Sequence, residues 1–209
     1  MNSNKNSKSE NSNELNHPLF TNFTFWFRIN ETSTLNPYKN SINFIDYENQ
    51  VKKLSTFSTI EDFWKIFQHL KKPEELNTGI EIDLFKNEIK PVWEEEVNKN
   101  GGKIALKLNK NYTSIIWEEL IFAFIGGNFP DNIKNEINGI LISSKKEFNV
   151  LQIWFREYNF KIIKEIQYFI KNLLQIPKEI KLNAVKFFKS NNNYNNNYNV
   201  NNKNYNKHY

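Results

Sequence analysis

Blocks of apolar residues with two different periods divide the chain into predicted strands and helices. The stretch Phe-Thr-Phe-Trp-Phe-Arg-Ile at residues 23–29 is aromatic-rich and predicts a strand with at least one buried face. Shorter apolar runs predict further strands at residues 42–47, 103–108, 139–143, 150–156 and 180–188. Strands interrupted by separate helices indicate an α+β fold, with the helices gathered on one face of a largely antiparallel sheet.

Three segments have the 3.6-residue period of amphipathic helices. The first opens with Ser-Thr-Ile-Glu at residues 58–61, the S-x-x-E pattern of a capping box, and runs to about Lys72, before Pro73. The second covers residues 114–125 and ends at a glycine pair. The third covers residues 160–174 and ends before Pro177.

Two of these helices carry apolar side chains that their core stripes do not need. In the first helix the stripe runs from Phe63 to Leu70, whereas Ile60 and Trp64 are displaced toward its flank. In the second, Phe122 projects away from the apolar side. An exposed Trp and an exposed Phe on neighbouring helices predict an apolar patch for a partner. The alternative is that strand ends or a tail cover them.

The two ends of the chain differ in composition from its middle. Residues 1–16 are dominated by Asn, Ser and charged residues, and residues 191–209 are mostly Asn with interspersed Tyr and Lys. Neither segment can bury enough apolar surface to offset the entropy of ordering, so both are predicted to be disordered. Residues 17–190 are predicted to form one domain with a hydrophobic core.

Composition also excludes classes of function. The chain of 209 residues has no cysteine, which removes disulfides, thiol nucleophiles and Cys-ligated zinc. It has only 3 histidines and neither a glycine-rich phosphate loop nor a nucleophile elbow, so we do not expect an enzyme. A net charge of +5 does not indicate a duplex-DNA-binding protein, but it suits a ligand with a few phosphates. The absence of a signal peptide or membrane-spanning run predicts a soluble intracellular protein.

Residues 89–96, Ile-Lys-Pro-Val-Trp-Glu-Glu-Glu, place a tryptophan directly beside a carboxylate. The π face of Trp93 can stack on a flat heterocycle, and Glu94 can accept hydrogen bonds from its edge. A positively charged base gains most, because the ring face attracts cations. The alternative is a core tryptophan followed by a solvated acidic run.

An ordered series of short motifs resembles the eukaryotic translation initiation factor 4E family, which binds the mRNA 5′ cap. The matching segments are residues 17–19, 25–27, 56–64, 84–86, 89–95, 98–103 and 153–154. They follow the family's order and approximate spacing, and all 5 tryptophans fall where the family has Trp. The chain is most similar to the class II, 4E-homologous branch of the family. The features that indicate this branch are Tyr47, a short loop between Leu108 and Trp117, and the pair Trp117-Glu118. Members of the branch are often associated with translational repression.

The resemblance implies how the cap base would be read. Tyr47 and Trp93 would sandwich 7-methylguanine, whose N7 methylation makes the ring cationic and adds a cation–π contribution of about 1–2 kcal/mol. Glu94 would accept hydrogen bonds from the guanine N1–H and N2–H₂ groups, and the Trp93 backbone N–H would donate to O6. Trp154 would contact the methyl group. Trp26 and Trp117, by contrast, are expected to be structural.

The phosphate-binding positions depart from the family pattern. Lys145 stands at the main position, which is normally Arg, and Lys103 stands at a second basic position. Lys145 cannot make the bidentate contact of Arg. Val150 and Glu147 replace two further basic residues. Lys146 is a plausible helper, though on a strand it would face away from Lys145. We therefore expect a weaker hold on the triphosphate than in the major branch.

The apolar helical patch also falls on the family's dorsal surface, which takes a Tyr-x-x-x-x-Leu-hydrophobic helix in a helix-in-groove contact. The partners implied are a scaffold initiation factor of the 4G type or a 4E-binding repressor. The positions that match this surface are His17, Pro18, Ile60, Trp64, Glu119, Phe122 and Gly126.

These inferences together predict a curved, mostly antiparallel sheet with three helices on its convex face and a cap slot on the concave side. The expected function is binding of the 7-methylguanosine cap in translation initiation or its repression. The alternatives are an interaction adaptor of the same fold with weak or no cap binding and, further off, a general single-strand RNA-binding module. We expect a cytoplasmic monomer, compatible with a nuclear fraction, that binds capped mRNA and needs no cofactor, metal, membrane or DNA.

Overall fold

The computed structural model describes residues 16–29 and 50–187, and the structural statements that follow concern those residues. The predicted strand at 42–47, which contains Tyr47, lies outside these ranges. The C-terminal tail at 191–209 and all but the last residue of the N-terminal tail at 1–16 lie outside them as well. The proposed domain limits of 17–190 therefore stay a prediction.

Seven strands of the described ranges form one antiparallel sheet, which is curved and does not close. Its spatial order is β2-β1-β3-β5-β6-β4-β7. The strands are β1 (Pro18–Ile29), β2 (Lys52–Thr59), β3 (Ile80–Lys86), β4 (Gly102–Asn109), β5 (Ile137–Ser144), β6 (Phe148–Phe155) and β7 (Asn183–Lys186).

The strand predictions at 23–29, 103–108, 139–143 and 150–156 are confirmed, and the one at 180–188 shortens to β7. Two strands were not predicted. β2 is polar and buries a single side chain, Phe57, so its apolar signal is weak. β3 alternates acidic and apolar residues in Ile-Glu-Ile-Asp-Leu, a period of two that is typical of a strand and was overlooked.

Four helices are present in the described residues, against the three predicted: α1 (Ile60–Phe67), α2 (Lys110–Ile125), α3 (Asp131–Lys134) and α4 (Phe160–Leu173). α3 is a single turn, too short to leave a periodic signal. α2 begins earlier than expected because the Asn109 side chain caps it, accepting from the backbone N–H of Asn111 at 3.0 Å. The short loop inferred between Leu108 and Trp117 is thus mostly the first turns of α2.

The capping box predicted at Ser58 is wrong by one residue. Thr59 caps α1 instead, its Oγ1 accepting from the backbone N–H of Asp62 at 3.1 Å. The carboxylate expected to complete the box, Glu61, accepts from the backbone and side chain of His17 at 3.0 and 2.6 Å. Those hydrogen bonds lower the pKa of the Glu61 carboxyl to about 2.

The main core lies between the sheet and the helices. Phe23 and Phe25 of β1 are fully buried there, and Phe23 packs against Phe57 and Phe124 with ring centroids 5.9 and 5.2 Å apart. Each buried aromatic ring contributes about 1.5–3 kcal/mol. Trp117 is also in this core, as expected. None of the helices in these ranges has the length and apolar character needed to traverse a bilayer.

Candidate functional site

The face of the sheet turned away from the helices, here called the concave face, carries polar and aromatic side chains. Successive residues of a strand point to opposite faces, so residues that pair across strands share a face. The pairs on this face are Arg28–Glu81, Trp26–Asp83, Glu81–Ser143, Asp83–Leu141, Phe85–Gly139 and Lys103–Trp154. A second, smaller core is therefore built on the open side of the sheet.

The floor of the concave face is aromatic. Trp154 is only 4% exposed and packs edge-on against Phe85, with ring centroids 5.6 Å apart. Gly139 makes this possible, because a Cβ there would lie 2.3 Å from the Phe85 ring. Phe187, just past β7, covers Trp154 with its centroid 4.4 Å away. Trp154 therefore presents little surface to a ligand while Phe187 stays in place.

Trp93 and Glu94 lie on the loop of residues 87–101 that joins β3 to β4, here called the β3–β4 loop. Val92 is buried in the concave floor and anchors the loop. Trp93, the next residue, is half-buried, and Glu94 is exposed. The alternative of a core tryptophan at this position therefore fails. The loop presents an aromatic face and a carboxylate side by side at the edge of the concave face.

Buried polar side chains hold the first part of this loop. The Nδ2 of Asn98 donates to the carbonyl oxygens of Lys90 and Val92 at 3.2 and 2.9 Å. The Nη2 of Arg28 donates to the carbonyl oxygen of Pro91 at 2.9 Å. The carbonyls of three consecutive residues directly before Trp93 are thus each fixed by a side chain.

Arg28 belongs to a buried group of charges. Its Nη1 lies 3.3 Å from Oε1 of Glu81, and both side chains are almost fully buried. Asp83, two residues along β3 from Glu81 and on the same face, is fully buried. Burial, followed by the Glu81 charge, raises the pKa of Asp83 well above its ordinary value, and Arg28 only partly offsets this.

The two lysines predicted to bind phosphate lie at this charged group. Lys103 on β4 is half-buried; burial first, then the positive charges of Arg28 and Lys145, lower its pKa, against an opposing effect of Glu81. Lys145 sits in the hairpin turn between β5 and β6, where its backbone N–H donates to the Phe148 carbonyl at 2.9 Å. Lys146 lies in the same turn and is exposed, because β5 ends at Ser144 and β6 begins at Phe148, so the strand geometry that would turn it away from Lys145 does not apply.

A separate apolar patch lies on the helical side. Ile60, Trp64 and Phe122, here called the docking patch, are 42%, 48% and 38% exposed. The rings of Trp64 and Phe122 are 5.7 Å apart, so α1 and α2 present them as one surface. The alternative that strand ends cover them fails within the described residues.

The other dorsal positions surround the docking patch. The His17 carbonyl accepts from the backbone N–H of Ile60 at 2.9 Å, and Pro18 pairs with Thr59, which brings the start of β1 to α1. On α2, Glu119 is exposed one turn before Phe122, and the Gly126 N–H donates to the Phe122 carbonyl at 3.0 Å. All seven predicted dorsal residues therefore meet at one surface.

Of the predicted concave-face residues, Trp93, Glu94, Trp154, Lys103 and Lys145 lie on or beside the same face, and Tyr47 lies outside the described residues. Sequence reasoning missed Arg28, Glu81, Asp83, Asn98 and Phe187. The alternation of Trp26 with Arg28, and of Glu81 with Asp83, was a signal for the first three. Asn98 falls in the segment 98–103 that matches the family, but its pattern does not mark it as a buried hydrogen-bond donor, and nothing marks Phe187. The described residues contain no group of three or more acidic or histidine side chains that could hold a metal ion.

The protein has the architecture of a binding protein. An aromatic loop lies at the concave face of its open sheet, and an apolar patch lies on the helices that cover the other face. The family model of eukaryotic initiation factor 4E matches residues 18–206, so the chain belongs to that family. The family consists of translation factors, which confirms the prediction that the protein is not an enzyme.

Individual relatives agree with this assignment. Eukaryotic translation initiation factor NCBP of Triticum aestivum is 28% identical over 77% of this chain, which spans 66% of that relative's length. The structure of Caenorhabditis elegans eIF4E-3 with the 4E-binding protein Mextli and a cap analog is similar with a TM-score of 0.70 and 26% identity, covering 82% of this chain and 92% of that one. A schistosome eIF4E complexed with m7GpppG and 4E-BP has a TM-score of 0.67 and 26% identity, over 78% and 86% of the two chains.

Proposed function

We propose that this protein binds the 7-methylguanosine 5′ cap of mRNA on its concave face and takes part in translation initiation or its repression through the docking patch. The observation that carries the proposal is the pair Trp93 and Glu94: a half-buried ring and an exposed carboxylate on a loop anchored at the concave face. Relatives of the same family have been solved with cap analogs in place. A cytoplasmic location follows from this role.

The base is held by stacking and by its edge. Trp93 stacks on the methylated ring, and Tyr47 closes the other side of the sandwich. Glu94 accepts from the N1–H and N2–H₂ groups of guanine, in a charge-assisted pair. Because N7 methylation makes the base cationic, both the ring face and the carboxylate favour it over unmethylated guanine.

The phosphates are held by Lys103 and Lys145. The positive charge of Lys103 is partly offset by Glu81, and the turn that carries Lys145 also contains the exposed Glu147. Neither lysine offers the planar fork of arginine. We therefore expect a weaker hold on the triphosphate than in the major branch of the family.

The N7 methyl group is proposed to contact Trp154, whose ring is covered in this structure. Trp154 reaches it only if Phe187 moves aside, since Phe187 covers the Trp154 ring. This covered ring favours a second candidate function, an interaction adaptor that uses the docking patch and binds cap weakly. Tyr47 and the pair Trp117-Glu118 support placing the chain in the class II, 4E-homologous branch.

The docking patch suits an amphipathic helix. Trp64 and Phe122 form an apolar surface bordered by the exposed carboxylate of Glu119. Such a surface fits the Tyr-x-x-x-x-Leu-hydrophobic helix of a 4G-type scaffold or a 4E-binding repressor. Relatives have been solved with 4E-binding proteins.

Retention on 7-methyl-GTP resin tests the role of Glu94 directly. Glu94→Ala is expected to abolish retention, because the guanine edge loses its acceptor while Trp93 and the fold remain. Glu96→Ala is the matched control, since Glu96 is exposed in the same acidic run and should be retained like wild type. Normal retention of a folded Glu94→Ala variant would exclude this mode of base recognition.

A further inference from the structure

We infer that Asn98 and Arg28 are positioning residues for base recognition, because they fix the carbonyls of the three residues that precede Trp93. This inference rests on the proposed role of Trp93. Neither side chain reaches the base, and both lie among the most buried polar residues of the protein. Their effect on ligand binding would be exerted through the backbone of the β3–β4 loop.

Asn98 uses both of its side-chain donors on this task. It is fully buried, and its two amide hydrogens go to the carbonyls of Lys90 and Val92. Its Oδ1 accepts from Nδ2 of Asn138 at 2.8 Å, which also donates to the Val97 carbonyl at 2.9 Å. The loop is therefore tied to itself through Asn98 and to β5 through Asn138.

The contact with Val92 has a directional consequence. A peptide unit is planar and trans, so its C=O and the following N–H point in opposite directions. Asn98 pulls the Val92 carbonyl toward the buried amide, and this turns the Trp93 N–H the other way. That N–H is the group proposed to donate to the guanine O6. Asn98 thus sets the direction of a recognition donor that it never touches.

Arg28 ties the same loop to the sheet. It reaches from β1 across 63 residues of sequence to the Pro91 carbonyl, while Glu81 on β3 holds the other guanidinium nitrogen. Proline has no N–H, so the loop at this point can be fixed only through its carbonyl or by packing. With Val92 buried next to it, Arg28 fixes the height of Trp93 above the concave floor.

A loop that is already ordered binds with less entropic cost than one that must be ordered by its ligand. Removing these hydrogen bonds should therefore weaken binding of the cap without disturbing the docking patch, which is built on α1 and α2. A purely structural role would lower both kinds of binding together with the melting temperature. The two roles are thereby separable.

The test uses the full chain with Asn98→Ala and Arg28→Lys. Arg28→Lys keeps a charge beside Glu81 but loses the second nitrogen that reaches Pro91. Asn100→Ala is the control, since Asn100 is an exposed residue of the same loop. Amide hydrogen exchange is measured without ligand, together with affinity for 7-methyl-GTP and for a Tyr-x-x-x-x-Leu-Leu peptide.

In both variants the backbone amides of residues 92–95 are expected to exchange faster, and affinity for 7-methyl-GTP should fall at least tenfold. Peptide affinity should not change. Asn100→Ala should match wild type in all three measurements. If Asn98→Ala does not fold, Arg28→Lys carries the test. Unchanged exchange and cap affinity in a folded variant would overturn the inference, as would a parallel loss of cap and peptide binding. If wild type itself fails to bind 7-methyl-GTP, the proposed function fails, whereas the exchange experiment still decides whether these residues order the loop.

Discussion

The concave face and the docking patch differ in how their aromatic side chains are held. Trp93 stands on a loop whose carbonyls are fixed by buried polar groups from β1 and from the loop itself. Trp64 stands on a regular helix and packs against other rings, those of Phe63, Phe67 and Phe122. A site on irregular backbone needs polar ties to be rigid, whereas a site on helices takes its rigidity from the helices.

This difference predicts that the two surfaces can be damaged independently. The largest expected effect is that of Trp64→Ala on the docking patch. Trp is a frequent binding hot spot, and its truncation typically costs about 2–4 kcal/mol, so peptide affinity should fall roughly thirtyfold or more. Affinity for 7-methyl-GTP should not change. Isothermal titration with both ligands measures this.

Tyr112→Ala is a matched control for that experiment, because Tyr112 is an exposed aromatic on α2 outside the docking patch. It should bind both ligands like wild type. Loss of both ligands in Trp64→Ala would mean that Trp64 supports the fold, and the separation of the two surfaces would then be wrong.

A second substitution is expected to raise affinity for the ligand of the concave face without affecting the docking patch. Lys145→Arg introduces the planar fork that matches phosphate oxygens, so affinity for 7-methyl-GTP should rise by a few fold, about 1 kcal/mol. Affinity for 7-methylguanosine, which has no phosphate, should stay the same. Lys161→Arg serves as control, since Lys161 is an exposed lysine at the start of α4, on the helical side of the sheet. An equal gain for nucleoside and nucleotide would show that Lys145 does not contact phosphate.

The smallest expected effect concerns stability, through Asp83. Its raised pKa means that the folded protein binds more protons than the unfolded chain above the ordinary aspartate value of about 3.9. The free energy of unfolding that Asp83 contributes is therefore lost as pH rises. Asp83→Asn removes this loss, so its melting temperature should exceed that of wild type at pH 7.5 and approach it at pH 4.5.

Asp62 provides the opposite case. Hydrogen bonds from Lys65 and then Thr59 lower its pKa, so the stability it contributes is present above the ordinary value and lost in acid. Asp62→Asn should therefore lower the melting temperature slightly at pH 7.5. A pH-independent difference between Asp83→Asn and wild type would contradict a raised pKa for the buried Asp83 carboxyl.

The two surfaces also differ in how far the sequence predicts them. The docking patch follows from a helical wheel, because Ile60 and Trp64 share one turn and Phe122 leaves the apolar side of α2. The pair Trp93 and Glu94 is visible as neighbours. Their supports are not, because Arg28 and Asn98 act across strand register and loop path, which local periodicity does not encode. The contact of Phe187 with Trp154 could not be predicted either, because it too depends on strand register and not on local periodicity.

The central claim is that the concave face recognises a cationic, methylated guanine. Titration of wild type with 7-methyl-GTP and with GTP, followed by tryptophan fluorescence, tests it most directly. The account predicts strong quenching by 7-methyl-GTP and an affinity for GTP that is roughly 5- to 30-fold weaker, because the cation–π contribution of about 1–2 kcal/mol is lost. Equal quenching at equal concentrations by the two nucleotides would contradict it.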